Sequence, residues 1–137
     1  MNTRLLDLLS GMADSLVEKL DADACAVSRA IGDVLILVAE CVNGGETLQQ
    51  GQGYLVPDYP QTAEVLRSGR PSVVTLDDTD LDAAEAAVLL EHGFGALLML
   101  PFELNGDTWG LVEVYRKERR GFSNAEIELA SELIRVG

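Results

Sequence analysis

The sequence predicts an α+β domain. Its centre is a mainly antiparallel sheet of about five to six strands, with the terminal helices on one face and short helices and loops over the other. Three observations carry this. The longest and most strongly amphipathic helical stretches lie at the two ends of the chain. Most apolar, strand-like segments come as hairpin pairs. The remaining helices are short and fall between strands.

Taken in order, "TRLLDLLSGMADSLVEKL" sets Leu5, Leu6, Leu9, Met12, Ala13, Leu16, Val17 and Leu20 on one helical stripe. "ACAVSRA" and "VLILVAECV" read as strands joined around Gly32-Asp33. Residues 43–53 read as a flexible polar loop. "DYPQTAEVLRSG" is a short helix that Asp58 could cap, with Gln61 three residues on and Gly69 as its stop. "PSVVTL" is a short strand. "DAAEAAVLLEHG" is a helix with an Asp82/Glu85 capping box and a stop at Gly93. "ALLMLPFELNGDTWGLVEVY" is a hairpin turning on Asn105-Gly106, a pair that tolerates the positive φ of a type I′ turn. "FSNAEIELASELIRVG" closes the chain, with a Ser123/Glu126 capping box and a Phe122–Ile127 staple.

The length of 137 residues suits a single domain over 1–137. The ending "SELIRVG" has no polar tail, so the domain is expected to be excised from, or to begin, a longer protein. No apolar run approaches the ~18–20 residues of a membrane span. The N-terminus lacks signal-peptide features, so a cytoplasmic location is expected. Ten basic against 23 acidic residues leave a net charge of −13, which nucleic acid and anionic membranes would repel. Two cysteines, Cys25 and Cys41, are too few for a disulfide scaffold and are expected to be reduced.

Catalytic and metal motifs are weak. "DDTDLD" begins like a calcium loop, but Ala83 and Leu89 stand where the glycine and the bidentate glutamate should be. "GQGYLV" lacks the third glycine of a dinucleotide loop. His92 is the only histidine and ends a helix, where it suits the dipole. With no catalytic motif, the chain is not expected to be an enzyme. A turn centred near Gly32 would set Cys25 opposite Ala39, with Cys41 its diagonal neighbour, so both thiols read as small buried hydrophobes.

The 96–115 hairpin is apolar on both faces, so both must be covered. With Asn105-Gly106 as a two-residue loop, one face holds Leu98, Leu100, Phe102, Trp109, Leu111, Glu113 and Tyr115. The other holds Leu97, Met99, Pro101, Gly110, Val112 and Val114, and suits the terminal helices. The first face has the mixed lining of a small-molecule pocket. Its candidate ligand-binding residues are Trp109, Glu113, Tyr115, Leu98, Leu100 and Leu111, with Phe94, Tyr54 and Tyr59 over them as a lid. The same residues also suit a plain core with Glu113 on a wet rim. A cavity above ~300 Å³ there would mark a ligand site.

The motif order resembles the GAF domain family over nearly all of residues 3–136. "DYPQTAEVLRSGRPSVV" resembles its Tyr-Pro, helix, Gly-Arg-Pro, strand segment. "HGFGALLMLPF" with "NGDTWGLVEVY" resembles its paired central strands, and "RRGFSNAEIELASEL" its closing helix. The resemblance implies a small-molecule-sensing or dimerisation module of a bacterial signalling protein. Such a module is expected to form a homodimer through its terminal helices and to act on an output domain. Family ligands include cyclic nucleotides, tetrapyrroles, haem and small metabolites. Here the phosphodiesterase-type nucleotide signature is absent. Cys25 and Cys41 are mid-strand and without a following His, which argues against a covalent bilin. The spacing of His92 to Pro101 does not match a haem ligand. Gly95-Ala96 replaces an Arg-Ser pair frequent in the family, which favours an apolar ligand or none. A ligand-free dimerisation module and a small cysteine-based redox enzyme are the alternatives.

Overall fold

The computed structural model describes residues 3–43 and 53–135. The polar loop expected over 43–53 lies outside the described residues apart from its two ends. Helix α1 spans Thr3–Lys19, α2 Pro60–Ser68, α3 Ala83–His92 and α4 Asn124–Leu133. Strands β1 (Ala24–Ile31), β2 (Val34–Val42), β3 (Gly53–Leu55), β4 (Ser72–Thr75), β5 (Ala96–Leu104) and β6 (Asp107–Arg116) form one sheet. Its order is β3-β2-β1-β6-β5-β4, and every recorded pair is antiparallel. The α+β class and the sheet are as expected, with β3 as the sixth strand in a stretch that reads as loop. Among the described residues, no helix is long and apolar enough to cross a membrane.

The local signals explain most boundaries. Asn105 and Gly106 adopt φ of 54° and 85°, as the tight turn requires. Gly69 and Gly93 end α2 and α3 in the left-handed region. Ser123 and Glu126 form the full capping box. Two expectations are corrected. Asp58 does not cap α2: it ends a short 3-10 turn, and α2 starts on Tyr59 and Pro60, whose ring fixes φ for the first turn. Asp82 caps α3, but Glu85 does not reach back to it. Glu85 turns inward instead.

Two bulges decide which side each residue faces. In the β5–β6 hairpin, Glu103 pairs with Thr108 but Phe102 pairs with Gly110, so Trp109 is an extra residue on β6. The β5 residues therefore swap sides relative to an unbroken ladder. Leu98, Leu100 and Phe102 join Val112, Val114 and Cys25 beneath α1 and α4. Leu97, Met99, Leu111 and Tyr115 lie on the opposite face, under α2 and α3. In the β1–β2 hairpin the turn residues are Gly32-Asp33, and Val38 is the extra residue. Cys25 consequently pairs directly with Cys41, not with Ala39.

The α1 stripe is buried from Leu9 to Leu20 as its spacing demands. Arg116, only 1% exposed, locks the helix layer. It donates hydrogen bonds to the carbonyls of Leu20 and Gly121 and to the Glu126 carboxylate. Its guanidinium lies 4.0 Å over the Phe122 ring. Burial works against the Glu126 charge, but the bonds from Arg116 and Ser123 outweigh it and hold the carboxyl below its usual range. The end of α1 and the start of α4 are thus pinned to the last residue of β6.

Candidate functional site

On the face away from α1 and α4, a chamber of about 50 Å³ lies between the sheet and α3. Its floor is Ala26 and Ser28 of β1, Leu35 and Leu37 of β2, and Glu113 and Tyr115 of β6. Its walls are Thr62 of α2 with Glu85, Val88 and His92 of α3, and Tyr54, Val56 and Tyr59 lie against it. A shallower vestibule of about 320 Å³ shares Tyr54, Tyr59, Val88 and His92 with it and adds Asp58 and Glu91. The Tyr54 and Tyr59 rings meet edge to face, 6.0 Å apart, where the two spaces join.

The chamber holds two acids, Glu85 and Glu113, beside the hydroxyls of Ser28, Thr62, Tyr54, Tyr59 and Tyr115 and the His92 ring. Glu85 is 4% exposed and accepts hydrogen bonds from the Thr62 backbone N–H (3.2 Å) and hydroxyl (3.0 Å). Burial raises its pKa, against the pull of those two bonds. The Tyr115 hydroxyl donates to Glu113 at 2.9 Å. Burial pushes the Glu113 carboxyl up to about 7; the Tyr115 bond opposes this and the nearby Glu85 charge adds to it. Tyr115 is raised in turn by burial and by Glu113. Buried Glu85 and half-buried Glu113 therefore share a small space, and both carboxyls hold their protons more tightly than in water.

The structure brings together only part of the set expected from sequence. Glu113, Tyr115, Tyr54 and Tyr59 line the chamber. Leu111 is on the same face but packs into the apolar cluster beneath it. Phe94 is no lid: it is buried, stacked on Tyr115 at 4.8 Å. Leu98, Leu100 and Trp109 are on the helix face, across the sheet, and so cannot touch a ligand in the chamber. Trp109 packs edge to face on Phe102, 5.7 Å away, with the Arg29 guanidinium 5.1 Å from its ring. The cause is the bulge, which the hairpin pattern does not announce.

Glu85, Thr62 and Ser28 are additions that the sequence reading did not single out. A signal for Glu85 existed. Glu85, Val88, Leu89 and His92 follow the i, i+3, i+4, i+7 spacing of a buried helical stripe, which points the acid at the sheet. His92 ends α3 as expected and also lines both spaces. Cys25 and Cys41 belong to the helix face, so neither thiol can anchor a bilin in the chamber.

A family model described as "GAF domain" matches residues 4–135. No curated protein matches the chain. Solved structures with the same fold include the GAF domain of PixJ from Thermosynechococcus elongatus in its blue-light-absorbing form. Its TM-score is 0.81 at 23% identity, over 94% of this chain and 79% of that one. A phycocyanobilin-bound GAF domain from a cyanobacterial phytochrome superposes with TM-score 0.78 at 20% identity, over 95% of this chain and 79% of that one. The GAF domain of a two-component sensor histidine kinase from Bacillus halodurans gives 0.73 at 17% identity, over 93% and 86%. At these identities the likeness is one of fold. With a family match over nearly its whole length, the chain belongs to the GAF domain family.

Proposed function

We propose that this domain is a sensory or regulatory module of a longer bacterial signalling protein. It takes a small molecule into the chamber and passes the change to its terminal helices, working in the cytoplasm as a homodimer. The observation that carries the reading is the chamber itself, where Glu113, Glu85 and the Tyr115 phenol converge. A plain core gains nothing from a buried acid beside a half-buried one, whose desolvation costs free energy. A route to the helices is at hand. Tyr115 floors the chamber, and the next residue, Arg116, holds the ends of α1 and α4. Coupling requires a ligand with different affinity for two helix arrangements. Leu8, 46% exposed on α1, is available to a partner helix. Any output domain lies outside residues 1–137.

One observation favours a second reading, a ligand-free dimerisation module. The chamber's roughly 50 Å³ is well below the ~300 Å³ of common ligand sites. A tetrapyrrole, as bound by the phytochrome relative, does not fit that space. The redox alternative has less support, because both cysteines sit on the far face and burial raises both thiols.

Thermal melting against a panel of small metabolites tests the reading, with wild type beside Ala26→Val, which adds two methyl groups at the chamber floor. A compound that raises the melting temperature of wild type but not of the variant supports sensing. No response from any compound, with a stable dimer by light scattering, supports dimerisation alone. A strict monomer at high concentration overturns the homodimer.

A further inference from the structure

The chamber's chemistry identifies a class of ligand, given that it is a ligand site as proposed above. We propose that it binds a small organic cation through a primary ammonium head. The head sits between the carboxylates of Glu85 and Glu113, beside the rings of Tyr54, Tyr59 and Tyr115.

Charge is the first argument. Among the described residues, no lysine or arginine lines the chamber or its vestibule. The acidic side chains there are Glu85 and Glu113 inside and Asp58 and Glu91 outside, with His92 between. An anion would meet like charge at every depth. A neutral hydroxyl would leave Glu85, and Glu113 once it ionises, without a counter-charge.

Unfilled hydrogen-bond capacity is the second. Glu85 is more than nine-tenths buried, and both of its protein hydrogen bonds go to Oε1. Its Oε2 has no donor among the described residues. Glu113 accepts from Tyr115 on Oε2, and its Oε1 likewise has no donor among them. An ammonium carries three donors and no acceptor, which matches two carboxylate oxygens that lack donors. Aromatic rings around such a head add attraction for a cation.

Size is the third. About 50 Å³ admits an ammonium and the first carbons of a chain, not a ring system. The rest of the ligand would pass Tyr54 and Tyr59 into the vestibule, whose own acids suit a second positive charge.

The site predicts its own pH dependence. The titratable groups facing Glu113 are Glu85 and His92 of α3, Tyr54 of β3, Tyr59 before α2 and Tyr115 of β6. From α2 comes only the neutral Thr62, and Ala26 of β1 and Met99 of β5, which flank Glu113 in the sheet, carry no charge. The Cys25 thiol lies on the other face of the sheet. Glu113 holds its proton up to about pH 7, because of burial and the Glu85 charge, so cation binding must release that proton. Affinity should rise between pH 6 and pH 8.

The test uses an isosteric series on the whole domain: butylammonium, 1-butanol and butyrate. Amide chemical shifts are followed in about 150 mM salt, which screens surface charge. So small a ligand is expected to bind at the millimolar level, given the ceiling on affinity per atom. Butylammonium should saturate, moving the amides of Ser28, Tyr54 and Thr62, while butyrate should not bind. E113Q and E85Q should each weaken it roughly tenfold or more, the worth of a charge-assisted hydrogen bond. Melting curves of the ligand-free variants verify that both are folded. If binding survives E113Q and E85Q unchanged, the cation is a general counter-ion of an acidic protein, and the inference fails. If 1-butanol or butyrate binds the chamber as well as butylammonium, the cation assignment fails and the sensing reading stands. If neither this series nor the metabolite panel perturbs the chamber, both fail.

Discussion

Replacing Glu113 with glutamine tests the electrostatics of the chamber directly. The glutamine keeps an oxygen to accept from the Tyr115 hydroxyl and replaces the titrating group with a neutral amide of nearly the same shape. In the folded protein the carboxyl moves from 4.5 to about 7, chiefly through burial. Each pH unit is worth about 1.4 kcal/mol, so ionising Glu113 costs the folded state on the order of 3 kcal/mol at most. Water admitted to the chamber would solvate the carboxylate and bring the cost toward about 1 kcal/mol. The sign follows from the raised pKa. The folded state holds this proton more tightly than the unfolded chain. Its contribution is therefore fully present below pH 4.5 and is lost as the pH rises through about 7. Glutamine does not suffer that loss. The quantity to measure is the melting temperature of E113Q minus that of wild type, from pH 5 to pH 8.5 by circular dichroism. Taking the difference removes the influence of the other carboxylates. At about 3 °C per kcal/mol for a domain of this size, the difference should grow by about 3–10 °C across that range. A flat or falling difference would refute the proton-holding assignment of Glu113.

Other parts of the structure make equally direct predictions. Arg116→Ala takes the donor from the Leu20 and Gly121 carbonyls and leaves the Glu126 carboxylate only its bond from Ser123, and should cost about 3–5 kcal/mol in urea unfolding. Arg116→Lys should recover little of it, since a lysine cannot reproduce the planar fork or the stacking on Phe122. A Cβ at Gly110 would collide with the Ser28 carbonyl oxygen of the neighbouring strand. Gly110→Ala should therefore destabilise by about 3 kcal/mol or more, or prevent soluble expression, whereas Gly11→Ala, where a Cβ meets open space, should not destabilise. Burial, with Asp14 nearby, raises the Cys41 thiol to about 11, and burial takes Cys25 higher still. Iodoacetamide at pH 7.5 should label Cys41 slowly and Cys25 only after denaturation; rapid labelling of native Cys25 would contradict its burial.

Periodic and capping signals made the elements legible. The α1 stripe, the Asn105-Gly106 turn and the Ser123/Glu126 box each depend on residues within one or two turns of chain. Side assignment was less legible, because it depends on ladder register over ten residues. One position where a strand carries an extra residue is enough to exchange faces. Trp109 and Val38 are such positions, and nothing in their local sequence distinguishes a bulge from a regular strand. This explains why Glu113 and Tyr115, read outward from β6, fell on the chamber side, while Leu98 and Leu100 of β5 did not. The two tyrosines of the rim were legible as aromatics in loops. Glu85 was hidden by a competing local role, since a third-position glutamate after Asp82 satisfies a capping box on paper. Its actual partner, Thr62, lies 23 residues away.

The extra residue at Trp109 also bears on how the chain can change in length. Removing it would leave Glu103 opposite Thr108 and Phe102 opposite Gly110 in a regular ladder, so every side chain from Leu111 onward would stay in its compartment. Deleting Val112 would do the opposite, exposing Val114 to the chamber and turning Glu113 and Tyr115 toward the helices. Insertions and deletions of single residues among relatives should therefore cluster at the bulge and at the Asn105-Gly106 turn, and be purged from the strand that floors the chamber.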